Sequence, residues 1–255
     1  MQVLGIDIGG TGIKGAPVDT VTGTLLADRH RLLTPVPADP TAVAETVASL
    51  VAHFDWKGPI GCGFPAAMRD GVALTAANVS KAWIGCNAQE LFQAQTQCPV
   101  RVLNDADAAG HAEMMFGAGQ GVSGTVLICT LGTGIGTALF VDGKLVPNTE
   151  FGHMEIKGKE AEKWASAVAR EKQELSWKKW AKRLNHYLNA MQAYVWPDLI
   201  ILGGGVSKRH DKFLPLLDLN TTVTPAQMRN EAGIVGAALA YSESAAPKPA
   251  QPAKT

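Results

Sequence analysis

One short glycine-rich pattern occurs twice in this chain, at positions about half of its 255 residues apart. The first copy runs from Val3 to Ile13 (VLGIDIGGTGI) and the second from Val126 to Ile135 (VLICTLGTGI), and they align with a gap of one residue. Each copy is an apolar, strand-like run that ends in a turn of glycine and threonine. Internal repetition of such a unit indicates a duplicated architecture. The sequence therefore predicts two related lobes, each of which contributes one glycine turn.

Composition limits the class of protein. Hydrophobic residues make up 46% of the chain and charged residues 18%, which is typical of a folded globular protein. The length suits one large domain or two lobes that share a cleft. The formal net charge is zero, so no overall field attracts nucleic acid, and a polyanion would need a local basic patch.

The lack of a recognisable targeting signal and the pattern of cysteines favour a cytoplasmic protein. The opening segment MQVLGIDIG reads as a strand and lacks the features of a signal peptide. No apolar run approaches the roughly 18 residues that span a membrane. The cysteines form no C-x-x-C pair, which disfavours a disulfide framework and a thiolate zinc site.

The alternation of strand-like and helical segments predicts a mixed α/β fold. We expect an N-terminal lobe at 1–106, a C-terminal lobe at 107–242 and a disordered tail rich in proline and alanine at 243–255. The last predicted helix, 232–242, is a candidate to pack back on the N-terminal lobe. A long helical region is predicted from about 158 to 195.

The segment from Gly10 to Gly15 also satisfies the dinucleotide-binding pattern G-x-G-x-x-G. That motif leads into a helix whose N-terminus binds the pyrophosphate. Here Ala16-Pro17-Val18 follows, which reads as a strand, and Pro17 would disrupt the interior of a helix. The sequence therefore favours a hairpin turn, and a dinucleotide site is the weaker alternative.

A hairpin turn of glycine and threonine exposes backbone N–H groups and hydroxyls, which suit phosphate oxygens. One such turn alone is better explained as an ordinary tight hairpin, but its duplication favours a clamp for a phosphoryl donor. Asp7 is placed to hold a magnesium ion through water, and Lys14 adds positive charge. The predicted donor-binding residues of the two turns are Gly9, Gly10, Thr11, Gly12, Thr130, Gly132, Thr133 and Gly134.

The segment Asn104-Asp105-Ala106-Asp107 follows the apolar run VRVL. A carboxylate at the end of a strand can accept the proton of an attacking hydroxyl, which makes Asp105 the candidate base. The segment taken alone is explained equally well by an Asx turn or a helix cap, with Asp107 as the capping residue.

Five motifs along the chain resemble those of the ROK sugar kinases and occur in the same order as in that family. They are Asp7-Ile-Gly-Gly-Thr-Gly-Ile-Lys14, Asn104-Asp-Ala-Asp107, Leu131-Gly-Thr-Gly-Ile-Gly136, Glu150-Phe-Gly-His153 and Gly203-Gly-Gly-Val-Ser207. The resemblance extends over the chain to about Ser242. It implies the α/β fold of actin and hexokinase, in which two ribonuclease-H-like lobes close over a central cleft.

The resemblance also implies roles for individual residues. Asp105 is expected to be the catalytic base, and Mg²⁺ the cofactor. The family suggests a homodimer. The expected sugar-binding residues are Asn78, Asn104, Asp105, Glu150 and His153. The expected contacts to the nucleotide or other donor from the third glycine turn are Gly203, Gly204 and Gly205.

One departure from the family concerns zinc. Many ROK proteins carry a cysteine-rich zinc motif after Glu-x-Gly-His, whereas this chain has no cysteine after Cys129. Zinc is therefore not predicted. The segment Glu162-Lys-Trp-Ala-Ser166 aligns with the end of the family's zinc segment, so Glu162 is expected to be the last sugar ligand. A solvated helix face is the alternative for Glu162.

The zinc-free segment, together with DKFLPLL and PAQMRNEAGIVGAA, resembles the actinobacterial polyphosphate glucokinases. A polyanionic donor requires a cationic track. Between Lys157 and Arg183 the chain has nine basic and four acidic residues, and Lys208, Arg209 and Lys212 form a second basic cluster. Ordinary surface charge on helices is the alternative explanation.

We therefore expect a Mg²⁺-dependent kinase that transfers a phosphoryl group to the 6-hydroxyl of glucose, from inorganic polyphosphate and also from ATP. A strictly ATP-dependent glucokinase and a kinase for mannose or fructose are the alternatives among enzymes. A sugar-responsive repressor and a non-catalytic sugar-binding protein are alternatives from other classes. The chain opens on the first phosphate strand, which leaves no room for an N-terminal DNA-binding module, and neither nucleic acid nor a membrane is expected as a partner.

Overall fold

The computed structural model describes residues 1–77 and 79–245, and two mixed β-sheets dominate it. The strands are β1 (Gln2–Gly9), β2 (Gly12–Asp19), β3 (Thr24–Leu25), β4 (His30–Leu32), β5 (Ile60–Phe64), β6 (Met68–Arg69), β7 (Val72–Ala73), β8 (Val100–Asn104), β9 (Thr125–Leu131), β10 (Ile135–Val141), β11 (Lys144–Val146), β12 (Glu155–Ile156), β13 (Lys159–Glu160), β14 (Leu199–Gly203) and β15 (Thr222–Pro225). The α-helices are α1 (Pro40–His53), α2 (Ala88–Thr96), α3 (Asp105–Phe116), α4 (Ala161–Ala165), α5 (Ala167–Lys172), α6 (Trp177–Val195) and α7 (Ala232–Ala245). Short 3-10 helices span Lys81–Trp83, Phe151–His153, Gly205–Lys212, Leu214–Leu216 and Arg229–Glu231.

The two sheets have equivalent strand orders, because five strands of the first sheet each have a counterpart at the same place in the second. The first is β3-β2-β1-β5-β8, with β4 also paired to β2, and the second is β11-β10-β9-β14-β15. In each sheet an antiparallel hairpin, β1–β2 or β9–β10, is extended by two strands that add in parallel. This topology confirms the predicted duplication, and it places one glycine turn at the tip of each hairpin.

Alternation along β1 directs its side chains into two different cores. Leu4, Ile6 and Ile8 pack in the core that includes buried residues of α1 and α2. Val3 packs in the core on the opposite face, which includes α3 and α7 residues. Helix α7 packs so closely on the first sheet that only a glycine fits at position 5, since a Cβ atom there would collide with the Ile234 carbonyl oxygen.

Helix α6 covers one face of the second sheet. Its buried residues recur every three or four positions, which is the pattern of a helix with one apolar face. They pack with alternate residues of β9, including Leu127 and Leu131. The buried residues of this helix are Trp180, Ala181, Leu184, Tyr187, Leu188, Met191 and Gln192.

The predicted helical region from 158 to 195 is helical over most of its length, but it is divided into separate helices and its first residues are not helical. Strand β13, which pairs with β12 just before the region, lies at its start, and α4, α5 and α6 follow as separate helices. Ser166 and Ser176 start new helices because their hydroxyl oxygens accept hydrogen bonds from Ala169 N and Lys179 N. The tight turn between β12 and β13 is formed by Lys157 and Gly158, both at positive φ.

The final helix also differs from expectation. Helix α7 runs to Ala245, so 243–245 are helical rather than part of the predicted disordered tail, of which 246–255 lie outside the described residues. Within residues 1–77 and 79–245, no helix has both the length and the apolar character required to cross a bilayer.

Candidate active site

Both glycine turns, the start of α3 and the segment after β11 face one cavity of about 290 Å³. The predicted site residues that line this cavity are Gly9, Gly10, Thr11, Gly12, Lys14, Asn104, Asp105, Thr130, Gly132, Thr133, Gly134, Glu150, His153, Glu162 and Gly204. A second cavity, of about 190 Å³, adjoins it, and its walls include Asp7, Gly203 and Gly205. Asn78 lies outside the described residues. The folded chain thus gathers the other predicted residues, whose individual roles remain predictions.

Asp105 is the first residue of α3 and lines both cavities. Its Oδ1 accepts a hydrogen bond from Ala106 N at 2.9 Å. Burial, followed by the negative charges of Asp7 and Glu150, raises the pKa of Asp105 to about 7. A carboxyl group that titrates near neutral pH is suited to accept and release a proton during a reaction.

The cap of α3 is Asn104 rather than Asp107, so that part of the prediction is wrong. The Asn104 Oδ1 accepts hydrogen bonds from Ala106 N at 2.9 Å and from Asp107 N at 3.0 Å. Its Nδ2 donates to Ala66 O at 3.1 Å. Asn104 has the extended backbone of a capping residue, whereas Asp107 already lies in the first helical turn. The cap fixes the end of the helix on which Asp105 stands.

Asp7 and Lys14 face each other across the β1–β2 hairpin and form an ion pair of 2.7 Å. Both side chains are mostly buried, with 18% and 26% of their surfaces exposed. Gly233 of α7 leaves room for the Asp7 carboxylate, because a Cβ there would lie 2.7 Å from Asp7 Cγ. The pair therefore occupies a fixed position in the wall of the smaller cavity.

A guanidinium group that sequence reasoning missed covers the first glycine turn. Arg31 of β4 donates from Nη2 to Thr11 O at 2.8 Å, and it lines the larger cavity. Gly12 lies directly beneath it, and a Cβ at Gly12 would displace the guanidinium from this position. No local motif marks Arg31, since it reaches the turn only through the pairing of β4 with β2.

The second glycine turn is in direct contact with Glu162. Glu162 Oε2 accepts a hydrogen bond from Ile135 N at 3.4 Å, and a Cβ at Gly134 would collide with the same oxygen. The Glu162 side chain is only 17% exposed. This position contradicts the alternative of a solvated helix face and places the carboxylate in the cavity wall.

Glu150, His153 and Glu162 form a cluster on the same side of the cavity. His153 Nε2 lies 3.6 Å from Glu150 Oε2, and His153 Nδ1 lies 3.9 Å from Glu162 Oε1. Burial raises the pKa of Glu150, and the charge of Glu162 adds to this increase while His153 opposes it. The cluster therefore offers both hydrogen-bond donors and acceptors to a polyhydroxylated ligand.

His153, Glu160 and Glu162 could also bind a metal ion. One potential ligand atom from each lies within 4.8 Å of the others. Two of the three already have partners, since Glu160 Oε2 pairs with Lys163 Nζ at 2.7 Å and Glu162 accepts from Ile135 N. The expectation of a zinc-free protein stays a prediction.

Glu113 organises the wall of the smaller cavity, a role that the sequence did not indicate. Its carboxylate accepts hydrogen bonds from Gln227 N at 3.1 Å and Met228 N at 2.7 Å, and also from Ala118 N. The next residue, Arg229, has a positive φ of 49° and lines that cavity. Helix α3 thus carries Asp105 at one end and holds the Arg229 segment at the other.

The solved structures with similar folds agree with this architecture. An inorganic polyphosphate/ATP-glucomannokinase from Arthrobacter sp. strain KM is 51% identical and superposes with a TM-score of 0.93, over 95% of this chain and 99% of that one. A ROK family glucokinase from Streptomyces griseus, solved with glucose and AMPPNP, is 24% identical with a TM-score of 0.82, over 95% and 100% of the two chains. The second likeness shows the fold alone. The expected actin- and hexokinase-like fold is confirmed.

Sequence comparison gives the same family. The polyphosphate glucokinase of Mycobacterium tuberculosis strain H37Rv is 52% identical over 237 residues, which cover 92% of this chain and 89% of the relative. The family model described as "ROK family" matches residues 3–169, more than half of the chain. This protein therefore belongs to the ROK family.

Proposed function

We propose that this protein is a polyphosphate-dependent glucokinase, which transfers a phosphoryl group from inorganic polyphosphate, and also from ATP, to the 6-hydroxyl of glucose. The relatives named polyphosphate glucokinase and polyphosphate/ATP-glucomannokinase support this assignment at 52% and 51% identity. The observation that carries it is the position of Asp105, a partly buried carboxyl group in the wall that the two adjoining cavities share.

In the proposed reaction, Asp105 accepts the proton of the glucose 6-hydroxyl as that oxygen attacks the terminal phosphorus of the donor. The new O–P bond forms while the bond between that phosphorus and its bridging oxygen breaks, and the shortened donor leaves with the electron pair. Because burial and neighbouring charges raise the pKa of Asp105 to about 7, the carboxylate retains useful basicity at neutral pH.

The part of the larger cavity that contains Glu150, His153 and Glu162 is the proposed sugar site. Glu150, His153 and Glu162 supply polar groups on one side, and Asn104 lies beside the base. Asn78 is the further sugar ligand that the family resemblance suggests. Orientation of the sugar by several hydrogen bonds would hold its 6-hydroxyl against Asp105, which is a major source of rate in phosphoryl transfer.

The glycine turns and the smaller cavity form the proposed donor site. Backbone N–H groups of the turns, Lys14 and Arg31 offer the positive potential that phosphate oxygens require. Gly203 to Gly205 and Arg229 line the smaller cavity. The donor would therefore enter between the turns, with its terminal phosphorus directed toward Asp105.

The carboxylates in the smaller cavity fit a Mg²⁺ ion. Asp7 and Asp105 both line it, and carboxylate oxygens are the ligands that this hard cation prefers. Asp7 would hold the ion through water, since Lys14 already occupies its Oδ2. When bound, Mg²⁺ would neutralise charge on the donor phosphates.

Two basic surfaces connect with the donor site and support polyphosphate as a donor. Val168 N, at the start of α5, donates to Gly132 O at 3.1 Å, so the basic segment that leads into α6 is joined to the second turn. On the other side, Arg229 also lines a cavity of about 420 Å³ that includes Lys208 and His210. A chain of phosphates longer than ATP could therefore contact cations on either side.

A nucleotide-free assay tests the donor assignment. Purified protein, glucose, Mg²⁺ and long-chain polyphosphate should give glucose 6-phosphate without added ATP, and ATP alone should also support the reaction. Product formation with ATP only would overturn the polyphosphate assignment in favour of an ATP-dependent glucokinase. Mannose is the second sugar to test, because the Arthrobacter relative is named a glucomannokinase.

Homodimer formation, cytoplasmic location, a role in glycolysis and the Mg²⁺ requirement remain predictions.

A further inference from the structure

Asn148 makes an unusual set of contacts two residues before the proposed sugar ligand Glu150. Its Oδ1 accepts a hydrogen bond from Met68 N at 2.7 Å, and its Nδ2 donates to Met68 O at 2.9 Å. One side-chain amide thus satisfies both backbone groups of a residue 80 positions away. The backbone N–H of Asn148 donates to Asp107 Oδ2 at 2.8 Å.

These bonds connect segments from both halves of the molecule. Met68 begins β6, just after β5 of the first sheet, whereas Asn148 follows β11 of the second. Asp107 lies in the first turn of α3, two residues after Asp105. Asn148 therefore joins the segment that carries Glu150 to the first half of the chain and to the helix that carries the proposed base.

The hydrogen bond from Asn148 N to the Asp107 carboxyl group is difficult to replace with another donor. Asp107 is only 1% exposed, and its Oδ1 has no hydrogen-bond partner among the residues that the structure describes. Burial, followed by the nearby charge of Glu150, raises the pKa of Asp107 to about 7, which agrees with the closeness of the two segments. Loss of the Asn148 N–H would leave a buried carboxyl group without this donor, so one position of the loop is strongly preferred.

The other side of the Glu150 segment is fixed to the second sheet. Thr137 Oγ1 donates to Thr149 O at 2.6 Å, Thr149 Oγ1 donates to Thr137 O at 3.0 Å, and Thr137 belongs to β10. Thr137 thus sets the position of Glu150 relative to the second glycine turn. The contacts of Asn148 set its position relative to Asp105.

We propose that Asn148 is a positioning residue that holds Glu150 at a fixed distance from Asp105 and thereby aligns the bound sugar with the base. This inference rests on the proposed glucokinase function. The left-handed backbone of Asn148, with φ at 59°, is a conformation that asparagine and glycine adopt more readily than other residues. Asn148→Gly therefore removes the side-chain bonds and retains the backbone conformation.

The test compares Asn148→Gly with wild type and with Asp142→Gly as the control. Asp142 also has a positive φ, 48°, and its Oδ1 accepts from Gly124 N at 2.9 Å, but both residues belong to the second half, away from the cavity. For N148G we expect the KM for glucose to rise about tenfold and kcat to fall about tenfold, because small misplacements of reacting groups are costly. The KM for polyphosphate should change by less than about twofold, since the donor site is not altered.

Thermal unfolding of each variant establishes that it is folded. Should N148G be unfolded, Asp107→Asn provides the second variant, since it weakens the bond to Asn148 N from the other partner and should move the glucose KM in the same direction. Glucose kinetics equal to wild type in a folded N148G, or equal changes in N148G and D142G, would overturn the inference. The proposed function would fail separately, by absence of glucose 6-phosphate formation in the wild type.

Discussion

At the scale of single residues, the proposed catalysis depends on one carboxyl group whose surroundings raise its pKa. Asp105 combines burial with two negative neighbours, Asp7 and Glu150, and it stands at the capped end of α3. Replacement by asparagine preserves the shape of the side chain and its place in the helix but removes the proton acceptor. For Asp105→Asn we expect glucose to bind with wild-type affinity while kcat falls by about 10² or more. Calorimetric titration with glucose and initial rates measure the two effects, and an unchanged kcat would exclude Asp105 as the base.

The pH dependence of the rate tests the same residue without removing it. A base must be ionised to accept a proton, so if Asp105 is the base, kcat/KM should rise with pH and reach half of its maximum near pH 7. Glu150 contributes negative charge that raises the pKa of Asp105, so Glu150→Gln should move this midpoint to lower pH. A midpoint that stays in place, or moves upward, would contradict the electrostatic coupling. His111→Gln, a change away from the larger cavity, is the matched control.

At the scale of elements, α6 presents the lysines of the proposed polyphosphate track. Lys178, Lys179 and Lys182 are exposed on this helix, whereas Arg170 stacks on Trp177 at 3.7 Å and is held in the fold. Charge reversal of the three lysines should raise the KM for long-chain polyphosphate several-fold, with a smaller effect on ATP, because only the longer polyanion reaches them. Reversal of Lys57 and Lys144, which are exposed elsewhere, is the control. Equal effects on both donors would remove α6 from the track.

The packing of α7 on the first sheet gives a prediction of stability. A Cβ at Gly61 would collide with the carbonyl oxygen of Ala237, which is backbone and has little freedom to move. Gly61→Ala should therefore lower the free energy of unfolding by about 1–3 kcal/mol, as overpacking does in other cores. At Gly205 a Cβ would meet no described atom within 4 Å, so Gly205→Ala should unfold at the wild-type urea concentration. Equal urea midpoints for the two variants would show that α7 does not pack this closely.

The elements that sequence reasoning predicted are those specified by local pattern. The hairpins that end in glycine turns and the strand before Asn104 follow from short-range alternation and turn residues. Arg31, Glu113 and Asn148 were missed because their partners are distant in the sequence, so no spacing marks them. The capping role of Asp107 was wrongly assigned because Asn104 and Asp107 are both good caps, and only the start of the helix distinguishes them.

At the scale of the whole molecule, the duplication explains why a site exists between the halves. Two sheets with one strand order present their hairpin turns to a common cavity, and α3 and Asn148 connect the halves beside it. Each turn alone is an ordinary hairpin, but two of them beside the partly buried carboxyl group of Asp105 form the proposed phosphate site next to the proposed base. The donor assignment depends on the basic surfaces that adjoin this arrangement, and the family alone does not determine it.

The most direct test follows the phosphorus itself. Wild-type protein and Asp105→Asn are each incubated with glucose, Mg²⁺ and long-chain polyphosphate in the absence of nucleotide, and ³¹P NMR follows the reaction. For the wild type we predict the appearance of the glucose 6-phosphate resonance at the expense of the polyphosphate signal, and for D105N no detectable product on the same time scale. Absence of glucose 6-phosphate with the wild type, or equal product formation by D105N, would contradict transfer from polyphosphate to glucose with Asp105 as the base.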